Sequence, residues 1–287
     1  MQSITRTHLI PGRTLANGRS WTEKATDYVL SRQNADGGFT FWQGADSNAQ
    51  DTYYGLAILR LLASPLPNLE ETLKWLREFG PGNVYSYYYV GRALLLCGET
   101  LDDRFRRYVT SAISSKRHFG SVDVYVEFAS EFQAACMVLE LARLMEVDLN
   151  GNELIEWLLG FKNRDGGFGA NEHSNVNSTY YAVSSLRMLG FDVKSLQDTV
   201  AFIKKCEKPN GGFTVIPRAY EPYVEYTFYG AMALEALKEK CRFPAKTVDF
   251  LLRCQNLNGG FARSDLGVSA FEYTFQAVNI VNKLAQA

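Results

Sequence analysis

The chain has little of what many common chemistries require. It holds three histidines (His8, His118, His173) and five cysteines (Cys97, Cys136, Cys206, Cys241, Cys254), with no CxxC pair. So few imidazoles leave little room for histidine metal centres or histidine acid–base pairs. The cysteine count is odd and most of the cysteines fall inside apolar helical patterns, which reads as buried reduced thiols. Neither charge is in surplus: 30 Lys and Arg face 31 Asp and Glu. A nucleic-acid binder usually carries a basic excess on one face, so that class is set aside. No run approaches the roughly 18 apolar residues of a membrane span, and the first twenty residues lack the apolar block of a signal peptide. Walker loops, GxGxxG after a strand and GxSxG are missing too. The expectation is a soluble cytoplasmic protein with no nucleic-acid partner and no transmembrane segment. At 287 residues, 46% hydrophobic and 21% charged, it can bury a sizeable core.

What is abundant is aromatic and periodic. Tyr and Phe number 16 and 18. Gly-Gly-Phe occurs four times, starting at Gly37, Gly166, Gly211 and Gly259. The last three lie 45 and 48 residues apart, and the first gap of 129 equals three periods of 43. Each clear copy has one grammar. An amphipathic stretch (ATDYVLSRQ, ELIEWLLGFK, TVAFIKKC, TVDFLLRCQ) leads to Gly-Gly-Phe, then a polar loop, then a more apolar stretch. Apolar residues at three- and four-residue spacing make both stretches helices. The first glycine supplies the positive φ that ends a helix and turns the chain. Two degenerate copies, NLEETLKWLREF…YSYYYVGRALLLCG and LDDRFRRYVTSAI…SEFQAACMVLELARLM, complete six helical hairpins, or twelve helices. A hairpin cannot bury its apolar face alone, so neighbours stack. The last copy ends almost at the C-terminus without a polar capping helix, which favours a closed α/α toroid over an open solenoid. The expected layout is a short N-terminal extension over 1–20 and one all-α toroid domain over 21–287.

With the repeats in view, QNADGGF…DTYYGLAILRLL, KNRDGGFGANEHSNVNSTYYAVSSLRMLG and QNLNGGF…EYTF resemble the repeats of protein prenyltransferase β subunits. They are similar too to those of squalene–hopene-type terpene cyclases. The resemblance implies six inner and six outer helices around an aromatic-lined cavity that holds an isoprenoid or similarly apolar molecule. In the prenyltransferases a zinc held by Asp, Cys and His activates an acceptor thiolate, beside a helical-repeat α subunit. In the cyclases a carboxylic acid starts a carbocation reaction. The matching helix starts here read Asp51-Thr52-Tyr53, Tyr87-Tyr88-Tyr89, Glu131-Phe132-Gln133, Ser178-Thr179-Tyr180, Glu225-Tyr226-Thr227 and Glu272-Tyr273-Thr274. None offers Cys or His, so an Asp/Cys/His zinc site is not expected. The cyclase motif Asp-x-Asp-Asp is absent as well.

Four carboxylates, Asp51, Glu131, Glu225 and Glu272, are expected at one repeat position, ringing a mouth of the cavity. They have two readings. Each caps or complements its own helix, or together they form a catalytic or cation site in which one acid of raised pKa donates a proton. An isoprenyl diphosphate would need bridging Mg²⁺ or basic loop residues such as Arg218 or Arg263 against so many acids. The aromatic residues Tyr53, Tyr54, Tyr87, Tyr88, Tyr180, Phe228 and Tyr229 also have two readings: packing between the rings, or the wall of a substrate pocket. Three functions follow: prenyl transfer without the usual zinc, terpenoid cyclisation, or a non-catalytic scaffold that docks a protein on its rim or outer helices.

Overall fold

The computed structural model describes residues 19–114, 131–147 and 151–285. The expected N-terminal extension lies outside them except for Arg19 and Ser20, as do His8, His118 and the loop of the third copy. Ser20 belongs to the first helix, because its hydroxyl caps the N–H of Glu23.

Helices alternate between two rings. The outer helices are α1 (Trp21–Leu30), α3 (Leu69–Glu78), α5 (Asp103–Ser114), α7 (Asn152–Leu159), α9 (Gln197–Cys206) and α11 (Pro244–Arg253). The inner helices are α2 (Ala49–Leu61), α4 (Val84–Leu96), α6 (Glu131–Leu144), α8 (Val176–Met188), α10 (Val224–Ala236) and α12 (Phe271–Ala285). The sorting follows from composition. In α3 only one stripe, Thr72 and Leu76, is buried, whereas α2 is buried almost all round from Thr52 to Leu59. Around the inner ring α2 packs on α4, α4 on α6, α6 on α8, α8 on α10 and α10 on α12, and α12 returns to α2. The toroid is closed. None of the described helices is long and apolar enough to cross a membrane.

Gly-Gly-Phe performs two jobs in each clear copy. The phenylalanines Phe39, Phe168, Phe213 and Phe261 are fully buried. Each Phe N–H donates to the threonine at the fourth position of the inner helix that follows: Thr52 at 2.9 Å, Thr179 at 2.9 Å, Thr227 at 3.0 Å and Thr274 at 2.9 Å. This bond locks the loop onto its own hairpin. The first glycine instead faces the next hairpin. All four have φ between +84° and +104°, a region where a Cβ is costly. A Cβ there would also strike the next outer helix, at 2.2 Å from Thr72 N, 2.3 Å from the Asp198 oxygen, 2.1 Å from the Lys246 oxygen and 2.0 Å from the Lys24 oxygen. The last contact reaches α1 and closes the ring, helped by Gln255, whose amide donates to the carbonyls of Trp21 and Gly259 at 2.8 and 2.9 Å.

The threonines also correct the repeat register. Aligned on Thr52, Thr179, Thr227 and Thr274, Asp51 matches Ser178, Tyr226 and Tyr273. Glu225 and Glu272 stand one residue earlier, beside Gln50 and Asn177, so the acids do not share one repeat position. Capping falls to asparagines: Asn48, Asn83 and Asn175 accept from Asp51, Ser86 and Ser178 N–H at 2.8, 3.0 and 2.8 Å.

Gly259→Ala should cost about 2–4 kcal/mol, since it adds left-handed strain to a backbone clash at the closing contact. Gly44→Ala, also at positive φ but facing open space, should cost only about 1 kcal/mol. Urea unfolding of the two variants makes the comparison; equal losses would show that the contact with α1 contributes nothing.

Candidate functional site

Six inner helices around one axis leave a gap that their own side chains must fill. Two successive positions do most of this. The fifth and sixth residues are Tyr53 and Tyr54 in α2, Tyr88 and Tyr89 in α4, and Tyr180 and Tyr181 in α8. In α10 they are Phe228 and Tyr229, and in α12 Phe275 and Gln276. Their rings pack at tilted angles, with centroids 5.2 Å apart for Tyr54 and Phe275 and 5.4 Å for Tyr180 and Tyr229. The hydroxyls pair where they converge, Tyr181 with Tyr229 at 2.9 Å and Tyr54 with Tyr89 at 3.4 Å. Burial raises these phenols above their ordinary pKa, so they act as neutral donors.

Inside this aromatic layer a cavity of about 200 Å³ remains. One turn further along, its wall is completed by Arg92, Met232 and Asn279, with Cys136 and Glu140 from α6. Arg92 and Glu140 form an ion pair, Tyr88 donates its hydroxyl to Glu140 at 2.7 Å, and the Arg92 guanidinium lies 5.6 Å from the Tyr53 ring centre. Burial pushes the Cys136 thiol up to about 12, so it is no thiolate nucleophile at neutral pH. A second hollow of about 480 Å³, lined by Ser184, Arg187 and Glu235 towards the C-terminal ends of α8 and α10, shares Cys136, Glu140, Tyr180 and Met232 with the cavity.

The expected site residues divide. Tyr53, Tyr54, Tyr88, Tyr180, Phe228 and Tyr229 line the cavity. Tyr87 turns away and stacks on Tyr108 of α5, centroids 3.9 Å apart and planes 10° apart. It packs between the rings because it occupies the fourth position, which threonine holds in α2, α8, α10 and α12. Arg218 is exposed in the loop before α10. None of the four acids is part of the cavity wall. Glu131 is exposed at the start of α6. Glu225 and Asp51 are both close enough to Glu272 for their charges to act on it. Arg263 pairs with Glu225 at 2.6 Å and with the Tyr226 hydroxyl at 3.0 Å. Asp51 accepts from Asn48 Nδ2 at 2.7 Å and Phe41 N–H at 3.0 Å, and burial outweighs these bonds in raising its pKa. Glu272 is shifted furthest, to about 7, by burial first and by the Glu225 and Asp51 charges next.

Sequence reasoning missed Arg92, Glu140, Gln276 and Asn279. The available signal was a polar residue in the middle of an otherwise apolar inner helix, as in YYYVGRALLL and CMVLELA. The resemblance implies a zinc, which would need Asp, Cys and His together. No group of three or more His, Cys, Asp or Glu among the described residues is placed to share an ion. The three gathered acids sit with tyrosines, an asparagine and an arginine, which does not fit a zinc–thiolate centre.

Because the folded pKa of Glu272 lies above its unfolded value near 4.5, the folded state binds more protons between those values. Stability from this group therefore falls as pH rises from about 4.5 to about 7, by roughly 3 kcal/mol. Glu272→Gln removes the penalty. It should leave the protein more stable than wild type at pH 8 and no more stable at pH 4, as read by thermal or urea unfolding. A gain at both pH values, or none at either, would contradict a carboxyl of raised pKa.

Similarity to other proteins agrees with this architecture. The family model for the prenyltransferase alpha-alpha toroid domain matches residues 5–79 and 85–286. Protein geranylgeranyltransferase-I from Candida albicans, solved in complex with GGPP, is 16% identical with a TM-score of 0.71, covering 91% of this chain and 90% of that one. The type II terpene cyclase MstE from Scytonema is 17% identical with a TM-score of 0.58, covering 93% and 96%. A protein from Actinoplanes is 18% identical with a TM-score of 0.56, covering 93% and 99%. No curated protein matches the sequence. Identities this low establish the fold and leave activity to the site. From the family match over nearly its whole length, together with the closed double ring, the chain belongs to the prenyltransferase alpha-alpha toroid family.

Proposed function

We propose that the chain binds an isoprenoid or similarly apolar molecule in its tyrosine-walled cavity and carries out terpenoid cyclase-like chemistry on it, with Glu272 as proton donor. One observation carries the reading. A carboxyl with a pKa raised to about 7 acts electrostatically on Tyr54, Tyr89 and Tyr229 and is hydrogen-bonded to Gln276, whose side chain lines the cavity. Burial keeps the proton on Glu272 up to about neutral pH. In the step, an alkene π pair forms a bond to that proton, a carbocation remains on the neighbouring carbon, and Glu272 is left as carboxylate. Tyrosine and phenylalanine faces stabilise the cation while a second alkene π pair of the same molecule attacks it, forming the ring bond and passing the positive charge to that alkene's far carbon. Loss of a proton from an adjacent carbon to water then forms a new alkene without redox change. Prenyl transfer from a diphosphate is less well served, because the acids Asp51, Glu225 and Glu272 repel a bare diphosphate and Arg263 is already committed to Glu225.

Space supports a ligand that reaches beyond the cavity. About 200 Å³ is below the roughly 300–1,000 Å³ usual for small-molecule pockets. The 480 Å³ hollow at the C-terminal ends of α8 and α10 shares lining side chains with it, the flexible Met232 among them, and offers the further room. A cytoplasmic setting, with the five cysteines free, completes the reading. A second reading, a scaffold docking a protein partner on its rim, draws on the exposed loop side chains Trp42, Tyr220 and Leu266, which are 66%, 87% and 94% accessible.

Incubation of C10, C15 and C20 prenyl alcohols and diphosphates in heavy water tests the proposal. A product carrying one carbon-bound deuterium is expected from wild type, at a rate that declines as pH rises through about 7. Glu272→Gln, alone or with Glu225→Gln, should lower turnover by 100-fold or more, the scale of lost acid catalysis. Turnover that survives in Glu272→Gln would remove this role. Binding without turnover would keep the apolar-cavity reading and remove the catalytic one, and no binding of any compound would point to the scaffold.

A further inference from the structure

The polar groups facing the cavity are mostly satisfied by one another. On the α4 and α6 side, Arg92, Glu140 and Tyr88 form one closed cluster. The tyrosine hydroxyls pair between neighbouring inner helices, Tyr54 of α2 with Tyr89 of α4 and Tyr181 of α8 with Tyr229 of α10. The exception is α12. Its residues Glu272, Gln276 and Asn279 stand four and three apart, so they share one helical stripe. In α2, α4, α8 and α10 the position of Gln276 is held by tyrosine.

Gln276 is 2% exposed. Its Nε2 donates to Glu272 Oε1 at 3.1 Å, which turns the amide oxygen away from Glu272. That oxygen is buried without a hydrogen-bond partner, and so is Oδ1 of Asn279. Both side chains line the cavity. Among the cavity-lining side chains these are the two buried polar atoms left unpartnered among the described residues. A buried acceptor left unpaired is costly, so native sites rarely hold two together without something to fill them. The α12 stripe also lies across the ring from α6, since α2 and α4 intervene on one side and α10 and α8 on the other. The two unpaired acceptors therefore define one pole of the cavity, with aromatic rings and Met232 as the walls between.

We infer that the ligand is an apolar molecule bearing a hydroxyl, which donates to Gln276 Oε1 and Asn279 Oδ1 inside the cavity. This rests on the apolar-cavity reading and narrows it to an alcohol or phenol of terpenoid size. The hydroxyl is anchored at α12 within the aromatic layer, and the hydrocarbon runs between Tyr180, Phe228 and Met232. An ether or hydrocarbon of the same skeleton brings no donor and leaves both acceptors unpaired, which is how such a site discriminates. An anchored hydroxyl also fixes the register of the chain relative to Glu272, one helical turn away on the same stripe.

Isothermal titration with the C5, C10 and C15 prenyl alcohols and with their methyl ethers tests this. Exclusion of water by itself favours the ethers, which carry one more methyl group. Wild type should nonetheless bind the best-fitting alcohol about tenfold or more tightly than its ether. In Gln276→Leu and in Asn279→Leu, each close in volume to the native side chain, that preference should shrink or reverse. Should the buried Gln276→Leu variant not fold, the half-buried Asn279→Leu and the wild-type ratio still decide the matter. Equal binding of alcohol and ether by wild type would overturn the inference, because water then fills the acceptors, while leaving the apolar-cavity reading in place. A preference unchanged in both variants would also overturn it by placing the hydroxyl elsewhere. If no compound of either series binds, the inference falls together with the function it rests on.

Discussion

A glycine pressed against the backbone of the next hairpin sets the spacing of the whole ring. Gly37, Gly166, Gly211 and Gly259 each bring a loop to within a Cβ's width of the following outer helix. No side chain could be accommodated there, and the positive φ that the loop requires removes most other residues as well. The phenylalanine two positions later then ties the same loop to its own inner helix through a threonine hydroxyl. Each copy is thus fastened forwards by the absence of a side chain and inwards by a buried one. Because the fourth of these contacts falls on α1, the array has no free end.

Closure has a consequence for the interior. Six helices held in a ring at fixed spacing cannot collapse onto their axis, so the axis must be filled by long side chains or left hollow. Tyrosine does most of the filling. Its ring supplies apolar volume, and its hydroxyl must then find a partner. The tyrosines meet that demand largely among themselves, and the Arg92–Glu140 pair meets it with Tyr88. Two demands remain open, on the one helix whose sixth residue is glutamine in place of tyrosine. The same helix carries the acid of most raised pKa. The difference between α12 and its neighbours is what makes the hollow a place with direction, acidic at one edge and accepting at one wall.

The acids behave differently from one another despite their similar sequence setting. Glu225 is neutralised by Arg263, Asp51 accepts backbone and amide hydrogens, and Glu131 is exposed. Glu272 has a weak amide donor and two acidic neighbours, so it retains its proton most strongly. Burial and the partners within reach thus give chemically equivalent residues different proton affinities.

The sequence by itself determined the repeat, the helical hairpins and the closed toroid. A four-fold Gly-Gly-Phe with helical periodicity on either side demands those local structures, and local structure is what spacing encodes. It also determined which aromatics crowd the axis, since six of the seven expected ones line the cavity. Tertiary structure decided the rest, because a contact across the ring has no signature in spacing. The helix starts shifted Glu225 and Glu272 by one residue against Asp51, and a shift of one residue turns a side chain by about 100° around a helix. Tyr87 stands at the fourth position of its helix, one residue on from the position of Asp51 in α2, and there it faces α5 and Tyr108. Arg92 and Glu140 are 48 residues apart in the sequence, and only the packing of α4 on α6 makes them a pair. Gln276 and Asn279 look like ordinary polar residues until the ring closes and leaves their oxygens buried without a hydrogen-bond partner among the described residues.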